Sequence, residues 1–355
     1  MGKIKVGILG ATGMVGQRLI QLLDGHPWFE VGYVAASEQS AGKSYAAAVE
    51  GRWHSATAIP DRVRGLVVGD VAGIAKAMAS CSLVFSALET DAAGVYEEKY
   101  AAAGLPVVSN ASAHRHTPDV PMLIPEINPE HLGIIPAQQK SRGWKNGFIV
   151  VKPNCSIQSY MAPLHALREF GIKHVIVSTM QAVSGAGHPG VASLDIVDNI
   201  IPFIKGEEEK SEREPLKIFG RVSGSGIISD DSIRISAHCN RVPVIDGHMA
   251  CISVEFKKKP SREQVLAAWK GFKGVPQELK LPSAPAQPIV YTDDPVRPQS
   301  RLDRDNGNGM VVTVGRLREC KVLDYRFVGL SHNTIRGAAG GAVLTAELLK
   351  AKGLV

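Results

Sequence analysis

Three glycines at three-residue spacing, Gly10, Gly13 and Gly16, stand between an apolar run and a helical pattern near the N-terminus. The spacing predicts a strand over Lys3 to Leu9 and a helix over Gly13 to Leu23, so the glycines fall at a strand-to-helix turn. Glycine there lets backbone pass close to a pyrophosphate, while N–H groups at the helix start supply donors and positive potential. The alternation continues through a strand at Val31 to Ala36, a helix at Gly73 to Ala79 and a strand at Ser82 to Leu88. A helix at Ala92 to Ala103, closed by Gly104, and a strand at Leu105 to Ser109 complete it. Such a βαβ series predicts an α/β fold with an N-terminal Rossmann-type, doubly wound parallel sheet that binds a dinucleotide.

The texture changes after residue 153. Val175 to Val183, Ser232 to His238, His248 to Phe256, Met310 to Leu317 and Tyr325 to Leu330 read as strands with fewer helices between them. They predict an α+β domain of mixed sheet over 154–332. Gln138 to Gly147, and the stretch holding Pro282, Pro285, Pro288, Pro295 and Pro298, read as surface excursions. Thr334 to Leu349 is Ala/Gly-rich with Ile335, Val343, Leu344 and Leu348 at helical positions. A helix with so small a face packs closely, here back on the first domain, which gives a dinucleotide domain of 1–153 plus 333–355.

Composition narrows the function. A chain of 355 residues, 45% hydrophobic and 21% charged, has enough material for two cores and no excess of charge. No run is long enough to span a membrane, and Met1 to Val6 leads into a strand instead of a signal peptide. The net charge is +6, yet the dense basic run is confined to Lys257 to Lys259. A phosphate-bearing small ligand suits this better than nucleic acid. Five cysteines without paired spacing point to a reducing, cytoplasmic setting and away from disulfides or structural zinc. His238 and Cys239 are adjacent on a strand and point to opposite faces, so no metal site is expected.

The second strand ends Ala35-Ala36-Ser37-Glu38. NAD enzymes place an acidic residue at such a position for the ribose 2′-hydroxyl. Ser37, with Ser40 and Lys43 nearby, suits a 2′-phosphate and favours NADP; Glu38 leaves NAD open if the strand ends one residue later.

Pro153-Asn154-Cys155-Ser156 follows the strand-like Phe148 to Val151 and opens a helical pattern from Ile157 to Phe170. A cysteine at a helix start gains thiolate character from unpaired N–H groups and the helix dipole. Cys81, Cys239, Cys251 and Cys320 read as buried, inert thiols. A nucleophilic cysteine beside a nicotinamide domain implies thiol addition to an aldehyde, hydride transfer and capture of the thioester, or the reverse reduction of an activated acid.

The motifs Gly10-Ala11-Thr12-Gly13-Met14-Val15-Gly16, Ser109 to Arg115, Pro153 to Ser156, Gln181 to Gly187, Gly206 to Lys210 and Cys239 to His248 resemble the aspartate-semialdehyde dehydrogenase family in its archaeal and fungal branch. The resemblance implies that Cys155 is the nucleophile, His248 the general acid/base and Gln181 an orienting residue. His248, after the Asp246-Gly247 turn, is expected to be exposed at a strand start with an ordinary imidazole pKa. By the same resemblance Arg241 holds a carboxylate, Glu207 an ammonium, and Lys210, Arg115 and Asn110 a phosphate, with Asn154 beside them. Motif alignment points to Glu207 among the three successive glutamates, and the choice between Glu207, Glu208 and Glu209 stays open in the sequence. Cofactor contacts are implied at Gly10, Thr12, Gly13, Met14, Val15, Ser37, Ser40, Ser86, Ser184, Gly185 and Asn333. The implied substrates are aspartate semialdehyde and phosphate, and the implied assembly is a homodimer or homotetramer. Rival readings are N-acetyl-γ-glutamyl-phosphate reductase, a CoA-thioester reductase such as malonyl-CoA reductase, and a non-catalytic NADPH-binding redox sensor.

Overall fold

A computed structural model describes residues 2–355. The N-terminal apolar runs form β1 (Ile4–Leu9), β2 (Phe29–Ala36), β3 (Gly69–Asp70), β4 (Leu83–Ser86), β5 (Val107–Ser109) and β6 (Ile149–Val151). These strands make one sheet in the order β3-β2-β1-β4-β5-β6, with every pairing parallel. The order reverses between β1 and β4, and open parallel sheets bind ligands at the strand C-termini beside such a reversal. The glycine turn lies there, between β1 and the helix Met14–Leu23. Val6, Ile8 and Leu9 are fully buried, as a strand covered on both faces requires.

The second domain contains β7 (Ile172–Gln181), a short hairpin of β8 (Arg221–Ser223) and β9 (Gly226–Ile228), then β10 (Arg234–Arg241) and β11 (His248–Phe256). It continues with β12 (Ile289–Thr292), β13 (Val312–Glu319) and β14 (Tyr325–Ser331). Six of these form a mixed sheet in the order β10-β7-β11-β14-β13-β12. Pairings β10–β7 and β12–β13 are parallel, and the rest are antiparallel. Val175, Val177, Ile252 and Val254 point into the core, while Ile176 and Cys251 on the opposite face are exposed. The closing helix Gly340–Ala351 buries Val343, Leu344 and Leu348 in the same cluster as Val6 and Ile8, against the first sheet. Among the described residues no helix is long and apolar enough to cross a membrane.

Several elements depart from the sequence reading. The Ile157 to Phe170 helix is broken into a 3-10 turn at Ser156–Ser159, a helix at Met161–His165 and a second 3-10 turn at Arg168–Phe170. Pro163 lacks an N–H and its ring blocks the carbonyl four residues back, so it is accommodated only in the first turn of a new helix. Gln138 to Gly147 is not a surface excursion throughout. It overlaps the helix Ile135–Arg142, where Gln138 is buried, accepts the Ile149 N–H and donates to Asp119 and Ile149 carbonyls. The proline-rich stretch contains β12, an edge strand, where missing N–H groups are tolerated. Cys81 and Cys239 are buried, but Cys251 is exposed on the open sheet face and Cys320 is half-buried.

Gly16 tests the close packing at the glycine turn. A Cβ there would lie 2.3 Å from the Gly10 carbonyl oxygen and 2.7 Å from Ala11 Cα. Alanine would gain about 1 kcal/mol of helix propensity, against about 1–3 kcal/mol for forcing a methyl into packed atoms. Because those atoms are backbone, the clash dominates. Gly16→Ala is expected to lower the thermal midpoint and weaken dinucleotide binding, measured by calorimetry and fluorescence titration.

Candidate active site

The turn after β6 carries Lys152, Pro153 and Asn154 to Cys155. Asn154 fixes that turn through every polar group it has for the purpose. Its Oδ1 accepts from the Ser156 N–H at 2.7 Å and the Ser156 hydroxyl at 2.6 Å. Its Nδ2 donates to both Glu207 oxygens at 2.9 Å, and its backbone N–H donates to Glu214 Oε2 at 2.6 Å. Cys155 therefore has a defined direction, with Sγ 3.4 Å from His248 Nε2.

The facing side chains come from the ends of three adjacent strands. Gln181 ends β7, Arg241 ends β10 and pairs with it in register, and His248 opens the antiparallel β11. Ala182, the next residue along the chain from Gln181, holds two of them. Its N–H donates to His248 Nδ1 at 3.0 Å, and its carbonyl accepts from Arg241 Nη1 at 2.7 Å. Because Nδ1 is an acceptor, the neutral imidazole carries its proton on Nε2, directed at Cys155. Gly185 lies over both side chains; a Cβ there would be 2.8 Å from Arg241 Nη1 and 3.0 Å from His248 Nε2.

The helix Glu207–Ile218 supplies the carboxylates. Glu207 accepts from Asn154, from Gln181 Nε2 at 2.9 Å and from Lys210 Nζ at 2.9 Å. Glu208 instead accepts the Cys239 N–H, and Glu209 is exposed, so Glu207 is the glutamate of the three that faces Cys155's turn. Arg115 donates Nη1 to Glu214 at 2.9 Å and Nη2 to the Asn110 carbonyl at 3.0 Å, while its buried Nε has no partner. Asn110 Oδ1 is likewise buried and unpartnered. Both atoms are buried and unsatisfied, and both residues wall the space in front of Cys155.

A cleft of about 320 Å³ runs past these groups. Its walls include Met14, Val15, Asn110, Arg115, Asn154, Cys155, Ser184, Gly185, Glu207, Lys210 and Asn333. The start of the first helix therefore opens onto the same space as the cysteine. Gly13 is its N-cap and no side chain caps it, which suits a diphosphate. Gly10 has φ +77° and a Cβ there would sit 2.5 Å from the Ala87 carbonyl, so the turn around Thr12 keeps its close approach. Asn333 ties Ser184 Oγ at 2.7 Å to the Gly247 N–H at 2.8 Å, binding the cleft wall to the His248 turn. Ser37 lies exposed immediately beyond β2, with Ser40 buried beneath it, outside the cleft walls. Ser86 ends β4 and is wholly buried. Gln181, Arg241 and His248 are also buried, behind the cleft walls. These placements fit a dinucleotide stretched from β2 to Cys155. Among the described residues no cluster of three or more metal-ligating side chains occurs.

Electrostatics correct two expectations. The cysteine precedes only a four-residue 3-10 turn, so little helix dipole reaches it. Burial and then the Glu207 charge push its thiol up to about 11, against the pull of Lys152, Arg115 and Arg241. His248 is fully buried, not exposed. Burial, reinforced by the Arg241 charge, lowers it to about 3, so the imidazole is neutral at physiological pH. For Glu207, burial raises the pKa, but Lys210 and the bonds from Gln181 and Asn154 outweigh it and keep the carboxylate ionised.

Three participants were not legible in the sequence. Lys152 is buried beside Cys155 and burial lowers it to about 7. Gly337 touches the nucleophile, since a Cβ there would be 2.9 Å from Cys155 Cβ. Glu214 stands two helical turns beyond Glu207, a spacing that was the available signal.

A dinucleotide crevice that opens onto a cysteine paired with a neutral histidine defines a nicotinamide-dependent dehydrogenase working through an enzyme thiol. Residues 5–135 match the semialdehyde dehydrogenase NAD binding domain, and residues 161–336 the semialdehyde dehydrogenase dimerisation domain. The aspartate-semialdehyde dehydrogenase of Archaeoglobus fulgidus is 48% identical over 347 residues, with 98% of each chain covered. The crystal structure of the Candida albicans enzyme with NADP superposes with a TM-score of 0.91 at 44% identity, covering 99% of this chain and 100% of that one. Aspartate semialdehyde dehydrogenase II of Vibrio cholerae, solved with ASA, gives a TM-score of 0.78 at 25% identity over 99% of each chain. The chain belongs to the aspartate-semialdehyde dehydrogenase family.

With the thiol raised and the histidine neutral, alkylation of Cys155 in the ligand-free enzyme should climb through the alkaline range toward a midpoint near about 11. No inflection near the free-imidazole value of about 6.5 is expected. Iodoacetamide labelling followed by peptide mass analysis checks this; an inflection near neutrality would show a thiolate–imidazolium pair instead.

Proposed function

We propose that the protein is an NADP-dependent aspartate-semialdehyde dehydrogenase, interconverting L-4-aspartyl phosphate and L-aspartate 4-semialdehyde through a Cys155 thioester, in lysine, threonine and methionine biosynthesis. The observation that carries this reading is Cys155 Sγ, 3.4 Å from His248 Nε2, in a cleft shared with the first helix start. The NADP of the Candida albicans structure and Ser37 at the end of β2 support NADP as the cofactor.

Each side chain then has a task. The Cys155 thiol adds to the acyl carbon, and the bond from that carbon to the phosphate oxygen then breaks, so that phosphate leaves with the electron pair and carries off the thiol proton. His248, held by Ala182 with its proton on Nε2, donates to the anion that develops at sulfur or the acyl oxygen. Arg241 grips the α-carboxylate with its planar fork. Glu207 takes the substrate ammonium, a role without purpose for a malonyl thioester, which has none. Lys210, Arg115 and Asn110 meet the phosphate, with Asn154 and Gln181 holding Glu207 in place. NADPH, when bound, supplies the hydride that releases the aldehyde. Gly10, Thr12, Gly13, Met14, Val15, Ser37, Ser40, Ser86, Ser184, Gly185 and Asn333 form or support its site.

The division into 1–153 plus 333–355 and 154–332 belongs to this reading, as do a cytoplasmic setting and a homodimer or a tetramer of dimers. The open face of the second sheet with exposed Ile176, and exposed Leu194 and Phe203 in the same family-model segment, supports self-association there.

Phosphate-dependent reduction of NADP by aspartate semialdehyde is the deciding assay; absence of turnover, or turnover independent of phosphate, rejects the reading. Cys155→Ser should abolish it, a loss of about 10⁴-fold or more, with NADP affinity unchanged. Arg241→Lys should raise the KM for the semialdehyde by about tenfold or more, because a point charge cannot replace a bidentate fork. Ile176→Glu should convert the assembly seen by sedimentation to smaller species.

A further inference from the structure

Glu214 has no part in the steps above, yet its carboxylate is wholly buried and both oxygens are occupied. Oε1 accepts from Arg115 Nη1 at 2.9 Å, and Oε2 accepts from the Asn154 backbone N–H at 2.6 Å. Arg115 belongs to the loop after β5 in the first domain, Asn154 to the turn that carries Cys155, and Glu214 to a helix of the second domain. One carboxylate thus spans the guanidinium assigned to phosphate and the peptide next to the nucleophile.

We propose that Glu214 is a positioning residue that sets the spacing between the phosphate-binding Arg115 and the Cys155 turn. The attacking sulfur and the departing phosphate are both bonded to one acyl carbon in the tetrahedral intermediate, so an error in that spacing acts directly on the reaction. Lys217, one turn further along the same helix, strengthens the assignment. Its Nζ donates to the Arg115 and Thr117 carbonyls at 2.7 Å, so backbone and side chain of Arg115 are both held from this helix. The inference deepens the functional reading and rests on it for the identity of phosphate.

Two variants separate reach from charge. Glu214→Asp keeps the charge but is one methylene short of spanning both partners. Its kcat/KM for phosphate should fall by about tenfold or more while the KM for NADP stays within about twofold. Glu214→Gln keeps the reach but has one acceptor oxygen for two donors, and leaves the Arg115 charge uncompensated near the thiol. At a fixed pH below the thiol midpoint, alkylation of its Cys155 should be faster by about threefold or more. An unmoved phosphate kcat/KM in folded Glu214→Asp, or unmoved alkylation in folded Glu214→Gln, overturns the proposal, even if the melting temperature drops. Should either variant fail to fold, the other decides. If the wild-type enzyme shows no phosphate-dependent turnover, the functional reading fails, and the alkylation rate of Cys155 in Glu214→Asp, where the charge is kept and the reach is not, still judges the positioning role: a rate unchanged from wild type overturns it.

Discussion

Burying ionised carboxylates is costly, and the cost organises this site. Each ion removed from water loses several kcal/mol of hydration unless partners replace it. Glu207 and Glu214 lie two turns apart on one helix and both are buried. Besides Lys210 of the same helix, their oxygens are filled from three other parts of the chain: the Cys155 turn, the end of β7 and the Arg115 loop. The helix, the loop of the first domain and the nucleophile turn consequently hold one another in register. Apolar packing would fill the same volume but has no such directionality. Hydrogen bonds to buried charge fix positions to a fraction of an ångström, which is what a displacement at carbon needs.

The same dryness sets the state of the sulfur. Burial opposes the thiolate, and the Glu207 charge opposes it further. Lys152, Arg115 and Arg241 act in the other direction, and in the ligand-free protein the opposing effects win. A substrate ammonium placed against Glu207 would cancel part of the repulsion, so the ligand itself brings the thiol toward its reactive form. His248 participates as a hydrogen-bond donor, because the Ala182 N–H already occupies Nδ1. A ring so placed cannot serve as a resting imidazolium without setting two donors against each other. The sequence suggested a proton shuttle near neutrality from an exposed ring, and burial removes the basis for that picture.

How much could be read from the chain depends on how local the cause was. The parallel sheet was legible because Lys3 to Leu9, Ser82 to Leu88 and their helices each carry their own periodicity, and Gly10 to Gly16 marked the turn. Cys155 stood out through its motif, although the helix expected behind it was stopped by Pro163. Residues outside the cleft walls, such as Gln181 and His248, became intelligible only through family resemblance, since a strand end looks the same whatever it faces. Glu214 and Lys217 were hidden in a charged helix that reads as solvated. Only the tertiary pairing with Arg115 and its backbone gives those charges a reason to be buried. Lys152 was invisible for the same cause: a lysine after a strand is ordinarily exposed.

The return of the C-terminus to the first domain follows from the packing around the nucleophile. Beyond β14 the chain makes a π-helical turn at Ile335–Ala339 before the helix Gly340–Ala351. Gly337 and Gly341 are four residues apart, so they share one face. A Cβ on the first would lie 2.9 Å from Cys155 Cβ, and on the second 2.7 Å from Lys152 Cε. The two glycines thus let helix backbone rest on the catalytic turn, where a side chain would crowd Cys155 and the buried Lys152 amine. Immediately before Gly337, Arg336 forms a buried ion pair with Glu126 at 2.9 Å and donates to the Met310 carbonyl at 2.8 Å, and the Glu126 pair pins the turn to the first half of the chain. The turn carrying Cys155 is therefore closed on one side by the carboxylate helix and on another by a glycine face. Its geometry is a property of the middle of the chain and its C-terminal segment folded together.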